Sequence, residues 1–309
     1  MIDLHLHTTY SDGRIGVKEL LEKAQTLGLD VISITDHDSV EAYYELIENH
    51  GYKEFYDGDI VKGVELTMRL RKVDVHFLVY DYDLDKMNTF ISKYYVSKEE
   101  RNKLSYKMLV DKCRAAGLVF DTNNINIEFK KEYPVYKLFA ELMQHEENFE
   151  ILEPVWNDCS AFIYKQLKDP RSPFFIDMNN LIPNFNDVAQ EIVDECKGKI
   201  FLAHPFNYER MAYKILHGAI DSGCLYGIEC THSNLTYEQS KFLQNLCFRY
   251  NFKMSGGSDY HAKNEDIYMG LGTENFLIPK AIISDWSKEY FMKEGDANET
   301  DPYCNGESV

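Results

Sequence analysis

Apolar and polar positions alternate at the start of the chain. Ile2, Leu4 and Leu6 fall on one face of an extended segment, and Asp3, His5 and His7 on the other. The segment ends in Ser11-Asp12-Gly13. From Val17 the period lengthens: Leu20, Leu21, Ala24 and Leu27 form one helical stripe, stopped by Gly28. Val31-Ile32-Ser33-Ile34 is mostly apolar, as expected of a strand buried on both faces. A second helix is predicted from about Val40 to Glu48. Strand, helix, strand in this order predicts that the first two strands are parallel. Glu65 to Val79 reads as a hairpin that brings Glu65 and His76 together.

From about Lys86 to Pro183 the pattern becomes one of charged and aromatic helices. Ser97–Ala116, with Leu104, Met108 and Cys113 and the breaker Gly117, is an example. This stretch contains no metal-type cluster and reads as a helical insertion packed beside the site; His145 reads as part of a solvated helix face. Strand and helix alternation resumes at Phe185. Asn186 or Asp187 is predicted to cap a helix that runs to Cys196, with Val188, Ile192 and Val193 as its apolar face. Tyr237 to Tyr250 forms another helix. After about Pro279 the chain turns acidic, and its end is expected to fray. No internal repeat or low-complexity linker interrupts the order.

Chemistry-bearing residues recur at the ends of the apolar segments. Two histidines at i and i+2 on one strand face, His5 and His7, have the carboxylate of Asp12 five residues on. Asp36-His37-Asp38 follows the second apolar run. Glu65 follows Ile60-Val61-Lys62-Gly63-Val64, and His76 lies inside Val73–Val79. His204 precedes Pro205, Glu229 ends Tyr226-Gly227-Ile228 with His232 three residues on, and Asp259 and His261 follow Gly256-Gly257-Ser258. A satisfied core histidine or a helix-capping aspartate would account for any one of these. It does not account for the repetition, because in parallel α/β folds the strand ends gather on one face. The pattern predicts a multinuclear metal site. Imidazole with carboxylate suits zinc, iron or manganese better than calcium or magnesium. Asp36 and Asp38 are expected to orient imidazoles from behind, and Gly256-Gly257 to permit the turn that presents Asp259 and His261.

His5-Leu6-His7-Thr8, Ser11-Asp12-Gly13, Thr35-Asp36-His37-Asp38, Gly63-Val64-Glu65, His76, Ala203-His204-Pro205 and Gly257-Ser258-Asp259-Tyr260-His261 resemble, in order, the motifs of the polymerase-and-histidinol-phosphatase (PHP) phosphoesterases. The likeness covers roughly residues 1–90 and 186–275. It implies an α/β fold, a distorted (β/α)7 barrel with a mainly helical insertion, divided as 1–90 and 186–280 for the barrel, 91–185 for the insertion and 281–309 for an acidic tail. It implies two or three divalent ions, Mn2+, Fe2+ or Zn2+, held by His5, His7, Asp12, His37, Glu65, His76, His204, Asp259 and His261, with Glu65 and Asp259 bridging. Asp12 and His37 then serve catalysis as well. Relatives acting on small phosphate esters carry a similar insertion, with an arginine that meets phosphate. Here that stretch reads Tyr133-Pro134-Val135-Tyr136-Lys137, so the arginine is missing and Lys137 takes its place as candidate.

Composition narrows the partners. With 309 residues and 44% hydrophobic content the chain can bury a large core. No apolar stretch approaches the ~20 residues that cross a bilayer. The opening lacks a basic and then apolar leader, and the first metal-type motif begins at residue 3, so a cytoplasmic protein is expected. Seven cysteines, odd in number and without a CxxC pair, favour reduced thiols. Cys230 beside Glu229 reads as a small buried hydrophobe rather than a ligand. A formal charge of −18 disfavours a grip on long nucleic acid. Two or three bound ions would reverse that sign locally by ~+4 to +6, so a small anionic substrate remains compatible. The expected partner is a nucleotide or short oligonucleotide, with no membrane contact, and the chain is expected to act as a monomer.

Divalent ions ~3.5–4 Å apart can share a water, lower its pKa and clamp phosphoryl oxygens. No serine or cysteine nucleophile is then required, and neither a G-x-S-x-G elbow nor a P-loop is present. His37, His232 or a metal-bound water could protonate the leaving oxygen. Arg14, Lys137 and His232 are candidate substrate contacts. The expected activity is hydrolysis of small phosphate mono- or diesters, nucleotides foremost, by a metal-bridging hydroxide. Histidinol-phosphate phosphatase, a 5′-3′ exoribonuclease on short RNA and a non-catalytic metal-binding module are the alternatives. The long insertion and the Ser-Asp-Gly motif point away from the first of these.

Overall fold

Strand β1 (Ile2–Leu6) is buried on both faces, so the alternation read from the sequence separates core from site rather than core from solvent. The computed structural model describes residues 1–49, 51–130, 132–177, 181–263, 267–287 and 290–291. Helix α1 (Val17–Leu27) ends as predicted at Gly28, whose φ of 66° turns its N–H back to the Ala24 and Gln25 carbonyls. Strand β2 (Val31–Ile34) returns parallel to β1 with Ile2 beside Val31. Helix α2 (Glu41–Glu48) and the short strand β3 (Asp59–Ile60) complete a parallel three-stranded sheet ordered β1-β2-β3.

The expected hairpin is present as β4 (Gly63–Leu70) and β5 (Val73–Tyr80), with Thr67 opposite His76. Helix α3 (Leu84–Tyr94) follows. After residue 182 the chain resumes with α8 (Phe185–Asp194), β6 (Lys199–Leu202), α9 (Ala212–Asp221), β7 (Gly227–His232), α10 (Tyr237–Tyr250) and β8 (Lys253–Gly257). These strands extend the hairpin into a five-stranded sheet, β4-β5-β6-β7-β8. Strand β5 runs against both neighbours while β6, β7 and β8 are parallel, so the sheet is mixed. Backbone bridges join the two sheets at Leu6–Tyr260 and at His37–Glu65.

Helix α8 is capped two residues before the earlier of the two predicted positions. Asn184, placed by Pro183, accepts from the Asn186 N–H, and Asn186 and Asp187 lie in the first turn. Ile2, Leu4, Val31, Leu78, Tyr80, Phe201, Ala203, Ile278 and Trp286 form a core between the strands, each large side chain contributing roughly 1.5–3 kcal/mol by burial. The described part of the segment after Pro279 does not fray: Ile283, Trp286 and Phe291 are buried and anchor it. The acidic run from 292 to 309 lies outside the described residues.

The chain divides into two compact units, Met1–Lys93 with Pro183–Val309, and Tyr94–Ile182. The second contains α4 (Lys98–Ala115), α5 (Pro134–Leu142), α6 (Phe149–Leu152) and α7 (Cys159–Phe162), and no strand among the described residues. Ser97 and Glu100 form a capping box at the start of α4. Leu109, Cys113, Leu138, Phe139, Leu142 and Phe162 belong to that unit's own core. Among the described residues no helix is long and apolar enough to cross a membrane.

Candidate metal centre

Glu65, on β4, is the hub of the site. Its Oε2 lies 3.0 Å from His5 Nε2, 3.1 Å from His7 Nε2 and 3.3 Å from His37 Nδ1. Its Oε1 lies 2.9 Å from both His76 Nδ1 and His204 Nε2. Strand β1 delivers His5 and His7 on one face, the hairpin delivers His76, and the loops after β2 and β6 deliver His37 and His204. Asp259, just past β8, places Oδ1 3.1 Å from His7 Nε2 and 3.4 Å from His5 Nε2. Asp12 Oδ1 lies 2.9 Å from His261 Nε2. All nine residues implied as ligands are thus brought together.

Four overlapping sets of side chains each present donor atoms within 4.8 Å of one another: His7, Asp12, His37 and His261; His5, His7, Glu65 and Asp259; His37, Glu65 and His76; and His5, Glu229 and His232. Shared members link the sets, an arrangement that could hold more than one ion. His7 Nε2 and His37 Nδ1 are buried yet lack a hydrogen-bond partner, although carboxylate oxygens stand 3.1 and 3.3 Å away. A buried polar atom left unpaired is costly. Convergence of these nitrogens and carboxylates on common points fits the donor set of a cation.

Electrostatics agree. Burial would raise the Glu65 pKa, but the neighbouring His37, His5 and His76 hold it well below the carboxylate range. Asp259 is likewise held low against burial, by His5, His232 and His7. Burial pushes His37 down to about 3, leaving the ring neutral and able to offer a lone pair.

Asp36 accepts from the Thr8 N–H (2.7 Å), the Thr8 hydroxyl (2.6 Å) and the Ser11 hydroxyl (2.5 Å), and so clamps the loop between His7 and Asp12, with the Ser11 Oγ 3.4 Å from His7 Nδ1. Asp38 accepts from the Thr67 N–H at 2.8 Å. Gly257 serves close approach within β8: a Cβ there would stand 2.1 Å from His5 Cβ. The turn that presents the last motif has its positive φ at Asp259 itself, 58°. Asp3 ties β1 to β8 by accepting from Ser258 N (3.0 Å) and Ser258 Oγ (2.6 Å). Cys230 faces Cys247, with Sγ atoms 3.5 Å apart.

Glu229, singled out in the sequence but given no role, is fully buried. Its Oε1 lies 2.9 Å from His5 Nδ1, and its Oε2 accepts from the His204 N–H at 2.8 Å. The signal that would have found it is the one shared by the ligands, a carboxylate at the end of an apolar strand. His232 also joins the cluster: its Nδ1 accepts from the Asn234 N–H (3.0 Å), and Nε2 is 3.5 Å from Asp259 Oδ2. Arg14 is exposed, on a loop whose N–H donates to the His261 carbonyl at 2.9 Å. Lys137 belongs to the helical unit, where it pairs with Glu132 at 3.2 Å.

A mixed α/β fold whose strands and loops gather seven imidazoles and four carboxylates defines a metal-binding type of hydrolase centre. Residues 3–137 match the family model described as the PHP domain. The chain is 26% identical over 268 residues to a phosphoribosyl 1,2-cyclic phosphate 1,2-diphosphodiesterase of Eggerthella lenta, covering 84% of this chain and 94% of that protein. It is 24% identical over 290 residues to a 5′-3′ exoribonuclease of Haemophilus influenzae, covering 93% and 98%. Its fold is similar to the crystal structure of a protein of Bifidobacterium adolescentis provisionally assigned as a metal-dependent phosphoesterase. That match has a TM-score of 0.66 and 23% identity, and covers 91% of this chain and 93% of that one.

Proposed function

We propose that this chain hydrolyses small phosphate mono- or diesters of nucleotide type, such as a nucleoside monophosphate or a 3′,5′-bisphosphate, in the cytoplasm. His5, His7, Asp12, His37, Glu65, His76, His204, Asp259 and His261 would hold two or three ions of manganese, iron or zinc. The single observation that carries this is the convergence of unpaired, buried imidazole nitrogens on ionised carboxylates. Divalent ions bound there supply Lewis acidity toward phosphoryl oxygens and ease the ionisation of water. Glu65 would bridge, because imidazoles reach both of its oxygens. His232 would hold the proton for the leaving oxygen. Its Nδ1 is taken up by the Asn234 N–H, so the neutral ring carries its proton at Nε2, beside Asp259. The bridges at Leu6–Tyr260 and His37–Glu65 support reading the two sheets as one distorted (β/α)7 barrel.

A second activity is favoured by the near full-length match to the Haemophilus exoribonuclease; the acidic composition weighs against substrates longer than a few nucleotides. One assay decides. Phosphate or nucleotide release is measured with manganese present from AMP, a 3′,5′-bisphosphate, a ribose 1,2-cyclic phosphate, short 5′-phosphorylated RNA and histidinol phosphate. Turnover of the mononucleotides foremost is expected. Turnover confined to RNA would favour the exoribonuclease, and silence across the panel with metal content verified would defeat the phosphoesterase assignment.

A further inference from the structure

Asp12 has two sides. Its Oδ1 faces the imidazoles, 2.9 Å from His261 Nε2, 3.8 Å from His7 Nδ1 and 3.9 Å from His37 Nε2. Its Oδ2 accepts from the Lys263 ammonium at 2.6 Å. Lys263, with Asn234, Asp259, His261 and Ile267, lines a cavity of about 260 Å3. That volume falls just below the ~300–1,000 Å3 of pockets that enclose a whole small ligand. It suits one phosphoryl group with part of the alcohol attached to it.

We infer that Lys263 is the phosphoryl-binding residue of a substrate subsite formed by this cavity, an assignment that rests on the phosphoesterase function proposed above. An ammonium offers three donors, and among the described residues Asp12 is the polar partner of one. The other two are available to non-bridging phosphoryl oxygens, for which a lysine serves as a point charge. The need for it follows from the surroundings. Asp259 lines the same cavity, so an entering phosphate dianion meets a carboxyl group on one wall. Lys263 supplies the opposing charge at that wall, about a third exposed and on a flexible stem. The Asp12 contact holds the ammonium itself beside the cavity that Lys263 lines. Asn234, whose backbone N–H orients His232, lines the same cavity.

The experiment titrates inorganic phosphate calorimetrically into the manganese-loaded wild-type protein, Lys263→Met and Lys263→Arg, with metal content measured for each. Steady-state kinetics on an ester from the panel run in parallel. Lys263→Met is expected to weaken phosphate binding at least tenfold and to raise KM at least tenfold, with kcat falling by less, while metal content matches wild type. Lys263→Arg should recover part of the binding. Phosphate affinity within twofold of wild type in Lys263→Met would overturn the assignment. So would a parallel loss of metal, which would make Lys263 a support for Asp12 alone, and so would a wild-type protein that binds no phosphate. Loss of phosphate binding in Lys263→Met with no ester turned over by wild type would uphold the subsite and sink the proposed activity.

Discussion

Glu229 and His5 are joined at 2.9 Å through His5 Nδ1, while the opposite nitrogen of the same ring lies 3.0 Å from Glu65. A carboxylate behind an imidazole fixes its tautomer and aims its other nitrogen. Glu229 does this with one oxygen and with the other accepts the N–H of His204, a residue held at φ 26° ahead of a proline. Glu229→Gln leaves one acceptor for two donors. It is expected to weaken manganese binding ~10–100-fold in competition titrations against a chelator, and Glu229→Ala more so. Wild-type affinity in Glu229→Gln would remove Glu229 from the centre.

Glu65 meets five imidazoles. Glu65→Gln removes the charge at nearly constant volume and should abolish turnover and reduce the number of ions bound, read by elemental analysis of dialysed protein. Retention of full metal content and activity would exclude a bridging role.

Removal of metal should stop turnover, with manganese restoring it better than calcium. It should also create a pH dependence of stability. Burial disfavours the charged form of His7, but Asp259 and Glu65 outweigh burial and raise its pKa from 6.5 to about 9. A histidine whose folded-state pKa is raised contributes stability that is complete below pH 6.5 and lost as pH rises through 9. The metal-free protein should therefore lose on the order of 3 kcal/mol across that window. Ions compete with the same proton, so the manganese-loaded protein should show a flatter profile. Parallel denaturation midpoints at pH 6, 7.5 and 9 check this; superimposable profiles would contradict it.

Gly257→Ala tests the approach of β1 to β8. The added methyl meets His5 Cβ at 2.1 Å and His5 N at 2.6 Å. Destabilisation of at least ~1–3 kcal/mol is expected, seen as a lower denaturation midpoint in the metal-free protein. An unchanged midpoint would mean that the strands are not packed as described.

The local elements were legible because their periods are clean: Val17–Leu27, Val31–Ile34 and Tyr237–Tyr250 have the bounds expected of them. The gathering of His5, His76, His204 and Asp259 followed from one rule, that strand ends meet. Partners set by tertiary packing were not legible. Asp36 holds Thr8 and Ser11 because the loop after β1 folds back over it. Lys263 is visible in the sequence only as a cation two residues beyond His261; its pairing with Asp12 spans 251 residues. Glycine is ambiguous from sequence alone, and at Gly257 the need is for space rather than a left-handed turn.

The first and last motifs are held together by backbone bonds, from the Asp259 N–H to the His5 carbonyl and from the His7 N–H to the Tyr260 carbonyl, both 3.0 Å. His5 and His7 therefore leave the ribosome more than 250 residues before Asp259 and His261, the members of their donor sets that come last. A nascent chain that stops short of Asp259 carries His5 and His7 without the last carboxylate and imidazole of their donor sets. Capture of the correct ions becomes tied to the docking of β8 and the motif that follows it.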